Sequence, residues 1–386
     1  MGKQPKRTRT NSHTKSAELP HPRGGYCNPS GDLLERALFQ NNKMLKTVES
    51  EFEGIENNVR KYPRFSKEMC EFRSSLLAGV QQNARALRTL LGTPRREACE
   101  NAQKVAITTE GCVGSSYNST EKVWAHLVKD WTESAPEQWG PIYAHIVHSL
   151  LKHLRLTSLH EDQQGVGGGD QPLAEACTEA LPLVLVPGCA QGRMVFEIAL
   201  KVPARVVGLE ASRMQLAVAD HVWNRCPSGG EVRFHPFVDE ANNNLTPAAR
   251  SRQVQAPCPA PQLFPATLQR VSLVGADFSR FSLPQGADAV VTCFFIDCFE
   301  DVVMCLEKLY SLLKPGGLWI NVGPLEYHGS QCSPTLTNIL TLAQEMGFRF
   351  MNSPTWSVHE LPYFNRPDSL KNFHIQEAAL SIAVRA

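Results

Sequence analysis

An uncharged, largely apolar run ends in an aspartate within VVTCFFIDCFEDV, which covers residues 290–302. Asp297 is the first carboxylate of this stretch, and Glu300 and Asp301 follow it closely. A buried strand that ends in Asp297 has two interpretations. The aspartate caps the helix that follows, or the strand end presents the carboxylate to a ligand. The other motifs of the chain bear on this choice.

A second candidate site surrounds the glycine turn VPGCAQGR, in which Gly188 and Gly192 flank Ala190. Small residues let the backbone approach a ligand, and the N-terminus of the following helix offers free N–H groups. Glu210 ends the next predicted strand about 20 residues further on, where a carboxylate accepts both hydroxyls of a ribose. The pattern therefore predicts a nucleotide-type site, which NAD-binding and S-adenosylmethionine-binding folds share.

Two further motifs favour methyl transfer. Asp277, in GADF, ends the third predicted strand of the alternating region, where it is placed to bind an adenine amino group. LKPGG, at residues 313–317, precedes an apolar strand, and such a turn typically introduces the fifth strand of class I methyltransferases. Ala190 leaves the dinucleotide-type glycine pattern incomplete, which argues against a dinucleotide-dependent oxidoreductase. That enzyme class stays open as an alternative.

Strands alternate with helices from residue 183 onward. The predicted elements, in order, are strand 183–188, helix 193–202, strand 204–210, helix 212–226, strands 271–278 and 287–297, helix 299–313, and strands within 312–324 and 374–385. This alternation predicts an α/β fold, a doubly wound and mostly parallel sheet. Ligands of such sheets lie beyond the carboxyl ends of the strands.

The N-terminal part of the chain is predicted to be helical. Residues 31–60 and 66–91 place apolar side chains at helical spacing around Pro63, and residues 121–131 and 141–154 do the same. Residues 92–120 look irregular, and the proline-rich residues 227–270 look like an insertion between core elements. We divide the chain into a disordered basic tail (1–29), an N-terminal helical region (30–120) and a catalytic-type domain (121–386).

Composition narrows the function classes. The chain has 386 residues, 42% of them hydrophobic, and a net charge of +1, so no global field favours nucleic acid or a membrane. The N-terminus has no apolar signal-peptide core. The 12 cysteines form no CxxC pair, which predicts reduced thiols, no metal site and a cytoplasmic protein. The basic tail leaves a nuclear location open.

Several motifs occur together in one order: LVKDW, LVLVPGCAQGRMVFEIA, VWNRC, HPFVDEANNN, GADF, TCFFID and LKPGGLWINVGPLEYH. In this order they resemble the carnosine N-methyltransferase family, also called N2227-like, over about residues 120–385. The resemblance implies a class I methyltransferase fold with an extra helical region. It also implies transfer of a methyl group from S-adenosylmethionine to an imidazole nitrogen of carnosine, giving anserine.

The resemblance also assigns residues by their motif positions. It implies cofactor binding by the glycine turn and by a set of polar residues, namely Gly188, Gly192, Glu210, Asp277, His126 and Lys129. It implies contacts with a small His-containing substrate by Asp297, His328, Asn243 and Asn244, the first two with a catalytic role. The asparagine pair is expected to close over the site. The helical region is expected to support homodimer contacts.

The chain departs from the family at places that touch ligands. His126 and Lys129 stand where the family has Gln and Arg, and by default both are solvated helix side chains. The family's tyrosine-rich C-terminal segment reads Phe373-His374-Ile375-Gln376 here. The substrate alternatives are therefore carnosine or a related His dipeptide, a histidine in a protein or peptide, and a silent methyltransferase-like binding protein.

The expected chemistry is an in-line displacement by a neutral imidazole nitrogen. Because the methyl donor is already activated, the protein mainly has to align the two reactants. A carboxylate that accepts the N–H of the other ring nitrogen fixes the tautomer and orientation. We assign this role to Asp297 as a hypothesis, and we expect His328 to position the substrate.

Overall fold

The structure is a computed structural model that describes most of the chain. The described residues are 31–53, 59–92, 104–113, 118–159, 181–225, 231–327, 332–351, 356–361, 366, 368–370 and 376–386. The basic tail, His328 and residues 373–375 of the C-terminal segment lie outside them.

A mixed sheet forms the centre of the molecule. Its strands are β1 (Ala106–Gly111), β2 (Leu183–Pro187), β3 (Arg205–Glu210), β6 (Val271–Ala276), β7 (Ala287–Cys293), β8 (Leu313–Gly323), β9 (Phe348–Phe350), β10 (Ser357–Leu361) and β11 (Gln376–Arg385). The order is β1-β6-β3-β2-β7-β8-β11-β10, with β9 also paired to β11. The first six strands in this spatial order, β1-β6-β3-β2-β7-β8, run parallel to one another, and β11 is antiparallel to its neighbours. The predicted doubly wound, mostly parallel sheet is confirmed.

The apolar sequences of the central strands explain why they form the core. All five residues of β2 are buried, as expected for a parallel strand covered by helices on both faces. Helices α5 (Arg193–Lys201), α6 (Arg213–Asp220) and α9 (Val302–Leu312) follow β2, β3 and β7, and α10 (Leu336–Glu345) precedes β9. Ser212 caps α6 by accepting a hydrogen bond from the Gln215 backbone N–H.

The N-terminal helices pack onto this core. Helices α1 (Gly31–Glu53) and α2 (Pro63–Leu91) form a hairpin. The first turns of α1 and the last turns of α2 belong to the same hydrophobic cluster as β2 and β3, whereas the remaining buried hydrophobic side chains of the two helices form a separate cluster with Val238 of the insertion. Helix α3 (Thr120–Trp131) is close to prediction, whereas α4 (Ala135–Leu154) begins before Pro141 and contains it. The helix start predicted at Pro141 is therefore wrong.

Two regions differ from the sequence pattern or add to it. Residues 92–120 include β1, an edge strand beside β6, so the irregular assignment is wrong there. The insertion folds into an antiparallel pair, β4 (Val232–Phe234) and β5 (Val254–Ala256), with the short helices α7 (Pro247–Arg250) and α8 (Pro265–Leu268). Within the described residues, no helix combines the length and the apolarity needed to cross a membrane.

Candidate active site

The glycine turn links β2 to α5 and requires a special backbone. Gly188 has φ of +66° and Gly192 has φ of +89°, values that favour glycine. A Cβ atom at Gly188 would lie 2.5 Å from the Phe295 ring, so this glycine also permits close packing. Ala190 adopts φ of +48° between them, and its backbone N–H donates a 2.8 Å hydrogen bond to Glu210 Oε2.

Glu210 joins the glycine turn to the end of β3. Its Oε1 accepts a 2.7 Å hydrogen bond from the Ser212 backbone N–H, so each oxygen has one backbone donor. Burial raises the pKa of Glu210 above its ordinary value, and the backbone donors counteract this effect. A carboxylate has about four acceptor positions in total. Glu210 therefore keeps acceptor capacity for a ligand.

A cleft of about 90 Å³ opens beside the glycine turn. Its lining residues come from the C-terminal half of α3, from α4, from the glycine turn and α5, and from the end of β7: His126, Lys129, Asp130, Trp139, Tyr143, Val186, Pro187, Gly188, Cys189, Ala190, Arg193, Met194, Cys293 and Phe294. The structure thus brings the predicted His126 and Lys129 next to Gly188.

Lys129 is not a solvated helix side chain. Only 8% of the residue is exposed, and its Nζ lies 4.8 Å from the centre of the Trp139 ring. Nζ also lies 4.0 Å from Asp130 Oδ1, while His126 Nδ1 lies 3.3 Å from Asp130 Oδ2. The side chains of the last turns of α3 thus form a compact charged group on one wall of the cleft.

Sequence analysis did not identify Asp130 and Arg193 as site residues. Burial opposes ionisation of Asp130, but Lys129, His126 and Arg193 together hold its pKa below the ordinary value. Arg193 Nη1 donates to the Asp130 backbone carbonyl at 3.0 Å, and its Nε and Nη2 contact Glu197. The i,i+4 spacing of His126 and Asp130 was a usable signal in the sequence.

Asp277 follows β6 at the same edge of the sheet as Glu210. Gly275 pairs with Glu210 across the two strands, so Asp277 lies two residues beyond that level. Its Oδ1 accepts hydrogen bonds from the Ser279 backbone N–H at 3.0 Å and from Ser279 Oγ at 2.7 Å. Its Oδ2 lies 3.5 Å from Arg280 Nε. Some of the hydrogen-bond acceptor positions of the Asp277 carboxylate are thus used by residues of its own turn.

Asp297 does not cap a helix. It lies in a short 3-10 turn (Ile296–Cys298), and its Oδ2 accepts a 3.0 Å hydrogen bond from the Glu326 backbone N–H. Asp301 is the cap of α9, since its Oδ1 accepts from the N–H groups of Val303 and Met304. The cap interpretation of Asp297 is therefore wrong, although only 3% of the residue is exposed.

Two residues with left-handed backbone lie near Asp297, one in the segment that contains it and one in the segment that contains Glu326. Phe294 has φ of +53° and donates its backbone N–H to the Val322 carbonyl, which turns the chain at the end of β7. Tyr327 has φ of +42°, and its hydroxyl donates to the Pro334 carbonyl at 2.7 Å. Burial and the negative charge of Asp297 raise the pKa of Tyr327 to about 12. Left-handed backbone at bulky residues is strained and recurs at functional sites.

Asn243 and Asn244 lie in the insertion, and neither is among the residues that line the cleft beside the glycine turn. Asn244 Oδ1 accepts a 3.0 Å hydrogen bond from Arg366 Nη2, and the Asn243 carbonyl accepts from the Leu370 backbone N–H at 2.6 Å. Both asparagines therefore connect the insertion to the described part of the C-terminal segment.

Metal-binding side chains do not converge among the described residues, which contain no group of three or more His, Cys, Asp or Glu suited to an ion. The eight described cysteines are free thiols. Cys189 and Cys293 lie in the cleft, and burial raises the pKa of both thiols.

Comparisons with known proteins match about half of this chain. The profile of the family described as Carnosine N-methyltransferase matches residues 171–379. Carnosine N-methyltransferase of Mus musculus is 29% identical over 203 residues, which are 52% of this chain and 46% of that protein. Carnosine N-methyltransferase unmet of Drosophila melanogaster is 30% identical over 199 residues, 50% of this chain and 43% of that protein.

These matches have limited extent. The chain spans about half the length of the curated relatives that it matches. Among solved structures, the N-methyltransferase NodS from Bradyrhizobium japonicum aligns with a TM-score of 0.33 and 12% identity, over 53% of this chain and 79% of that chain. The family profile, in contrast, covers more than half of the chain, including the glycine turn, Glu210 and Asp297. The chain therefore belongs to the carnosine N-methyltransferase family.

Proposed function

We propose that the chain is an S-adenosylmethionine-dependent N-methyltransferase that acts on an imidazole nitrogen of carnosine or a related His dipeptide. One observation carries this proposal: the carboxyl ends of four neighbouring strands present polar or glycine positions in one row. In sheet order these positions are Asp277 after β6, Glu210 on β3, Gly188 after β2 and Asp297 beyond β7. Such a row suits an elongated cofactor with the methyl-accepting substrate beside one end.

The described residues fit the proposed cofactor. The absence of a Cβ atom at Gly188 and the remaining acceptor positions of Glu210 suit a ribose beside the turn. Asp277 would hold the adenine end, and Lys129 with His126 would hold the methionyl end. When bound, the cofactor would supply a methyl group on a sulfonium centre, which an uncharged nitrogen can attack without further activation.

Asp297 would orient the acceptor. Its Oδ2 is held by the Glu326 backbone N–H, and this contact fixes the direction of the carboxylate. The N–H of one imidazole nitrogen would donate to this carboxylate, and the lone pair of the other nitrogen would face the methyl group. Free imidazole titrates near pH 6.5, so a large fraction is neutral at physiological pH. His328 and the Asn243–Asn244 pair stay proposals for substrate positioning.

A substrate profile tests this proposal. Purified protein is incubated with methyl-labelled S-adenosylmethionine and carnosine, other His dipeptides or His-containing peptides. We expect label on the dipeptides and its loss in Asp297→Ala, with Asp301→Ala as the matched control because Asp301 only caps α9. Label on the peptides alone would show that the substrate is a histidine in a protein or peptide and not a dipeptide. No label on any His compound, despite cofactor binding, would favour a silent binding protein.

A cytoplasmic or nuclear location, the domain limits of the chain and a homodimer through α1 and α2 are also proposals. Light scattering of the full chain tests the dimer. We expect a dimeric mass, and a monomeric full chain would rule out the homodimer.

A further inference from the structure

His126 faces the cleft with one ring nitrogen already engaged. Nδ1 lies 3.3 Å from Asp130 Oδ2 on the same face of α3. Within the described part of the chain, Nε2 has no hydrogen-bond partner, although the residue lines the cleft beside Gly188. The imidazole is thus oriented by a carboxylate and presents its second nitrogen toward the ligand space.

The surroundings keep this imidazole neutral. Burial lowers the pKa of His126, the positive charges of Lys129 and Lys122 lower it further, and Asp130 opposes them only in part. Charged and titratable groups face this part of the cleft from α3, α4, α5, the glycine turn and β7: Lys122, Lys129, Asp130, Tyr143, Cys189, Arg193 and Cys293.

Four of these neighbours have pKa values that are shifted away from neutral pH. Burial raises the pKa values of Tyr143, Cys189 and Cys293, so these groups stay neutral. The pKa of Asp130 is held below its ordinary value, so this carboxylate stays ionised. Between pH 8 and mildly acidic pH, His126 is therefore the group on this wall that changes charge.

The tautomer decides what His126 can bind. A neutral imidazole whose Nδ1–H points to a carboxylate has only a lone pair on Nε2, so it accepts a hydrogen bond there. Lys129, on the same wall, carries an ammonium group that only donates. Together the two side chains complement a ligand group that presents one donor and one anionic acceptor, as an α-amino acid does.

We propose that His126 Nε2 accepts a hydrogen bond from the α-ammonium group of the cofactor's methionyl end, while Lys129 contacts its carboxylate. This inference rests on the proposed function and deepens it. Its consequence is a pH-dependent affinity. Protonation of His126 removes the accepting lone pair and places a positive charge against the ammonium group, so affinity falls as pH falls.

Calorimetric binding of S-adenosylhomocysteine by the full chain between pH 8 and pH 5.5 tests this inference without any turnover. The matched variant is His126→Gln, because an amide oxygen accepts a hydrogen bond at every pH in this range. Glu210 has a raised pKa and also titrates toward acidic pH, so the difference between the two proteins is the decisive quantity. We expect the wild-type Kd to rise more than that of the variant, by a factor below about ten, because the lowered pKa of His126 leaves part of the imidazole neutral at pH 5.5.

A second ligand distinguishes the contribution of the α-amino group to binding from that of the carboxylate. An S-adenosylhomocysteine analogue that lacks only the α-amino group should bind wild type and His126→Gln with the same pH dependence. Melting temperatures of both proteins at each pH check that the fold is intact. Equal pH profiles with S-adenosylhomocysteine, or wild-type affinity that rises toward acidic pH, would overturn the inference and leave the proposed function standing. No binding at pH 8 would instead overturn the proposed function.

Discussion

The glycine-loop side (Gly188–Gly192 with Glu210) and the acceptor side (Asp297 with residues 324–327) each contain a buried carboxylate, but the two carboxylates are held differently. Both oxygens of Glu210 accept backbone N–H groups, from Ala190 and Ser212. On Asp297, one backbone N–H, that of Glu326, donates to Oδ2. Glu210 is thus fixed at both oxygens within adjacent strand-to-helix turns.

The acceptor side depends on contacts between distant segments. Asp297 and the backbone N–H of Glu326 are 29 residues apart in the sequence. Elsewhere, the side chains of Arg366 and Glu240 join the C-terminal segment to the insertion over a separation of 126 residues. Backbone donors survive most substitutions because every residue except proline supplies them. Contacts between side chains of distant segments do not, so we infer that the connection between the insertion and the C-terminal segment can change while the glycine-loop side stays constant. The following predictions test this contrast.

Glu210→Ala should have the largest effect. The substitution removes the ribose acceptor and leaves the N–H groups of Ala190 and Ser212 without their partner. The two hydrogen bonds that the ribose hydroxyls would donate to the carboxylate correspond to about 4 kcal/mol, so we expect the Kd for S-adenosylhomocysteine to rise about 10³-fold. Calorimetry measures it. Glu210→Gln, which keeps one carbonyl acceptor, is the matched control, and its Kd should lie between those of wild type and Glu210→Ala. Wild-type affinity in Glu210→Ala would refute the assigned role.

Substitutions of Asp297 separate loop anchoring from contact with an acceptor. Asp297→Asn keeps an oxygen for the Glu326 backbone N–H but removes the negative charge. If the carboxylate orients an imidazole N–H, kcat/KM for the dipeptide should fall about 100-fold, roughly 2.7 kcal/mol. The affinity for S-adenosylhomocysteine should not change. Steady-state kinetics with labelled cofactor measures Asp297→Asn and Asp297→Ala. Full activity in Asp297→Asn together with loss of activity in Asp297→Ala would mean that Asp297 only anchors the segment of Glu326.

Arg366 tests how strongly the connection between the insertion and the C-terminal segment depends on side chains. The residue is 5% exposed, and its guanidinium contacts Glu240 Oε2 at 2.5 Å, Asn244 Oδ1 at 3.0 Å and the Phe237 ring at 4.0 Å. Arg366→Ala removes a charge-assisted hydrogen bond to the Glu240 carboxylate, so it should lower the free energy of unfolding by about 2 kcal/mol. Urea unfolding measures this change.

Arg252→Ala is the matched control for Arg366→Ala. Arg252 also reaches the C-terminal segment, at 3.4 Å from Asp368, but 37% of its side chain is exposed. We expect a loss below about 1 kcal/mol, since water screens such a pair. Equal losses in the two variants would contradict the view that Arg366 is the main connection between the insertion and the C-terminal segment.

The sequence predicted the glycine-loop side better than the acceptor side, for physical reasons. The central parallel strands are continuous apolar runs, and Gly188 and Glu210 lie at fixed distances from their ends, so local pattern locates them. Strand β1 was missed because its sequence, AITTEG, belongs to a partly exposed edge strand with no apolar run. Pro141 was taken for a helix start because a proline lacks the N–H of a helix interior.

Packing between distant elements explains the residues that sequence analysis missed. Asp130, Arg193 and Trp139 line the cleft because α3 and α4 pack against the glycine turn, and no local pattern reports that contact. The same limit applies to Asn244, whose contact with Arg366 joins segments that are 122 residues apart. The strand predicted over residues 287–297 ends already at Cys293, and Asp297 lies in the 3-10 turn beyond it. Two interpretations fitted this aspartate until the true cap of α9 was located.

Asp301→Ala should have the smallest effect and completes the contrast with Asp297. Asp301 Oδ1 accepts the Val303 and Met304 backbone N–H groups at 2.8 Å and 3.2 Å, at an exposed helix start. Loss of such a cap costs about 1 kcal/mol, so the unfolding midpoint in urea should fall while kcat/KM stays at the wild-type value. Asp301→Asn retains a capping oxygen and should recover most of the stability. If Asp301→Ala lost activity as severely as Asp297→Ala, the activity loss in both would follow from the start of α9, and Asp297 would have no separate role toward the acceptor.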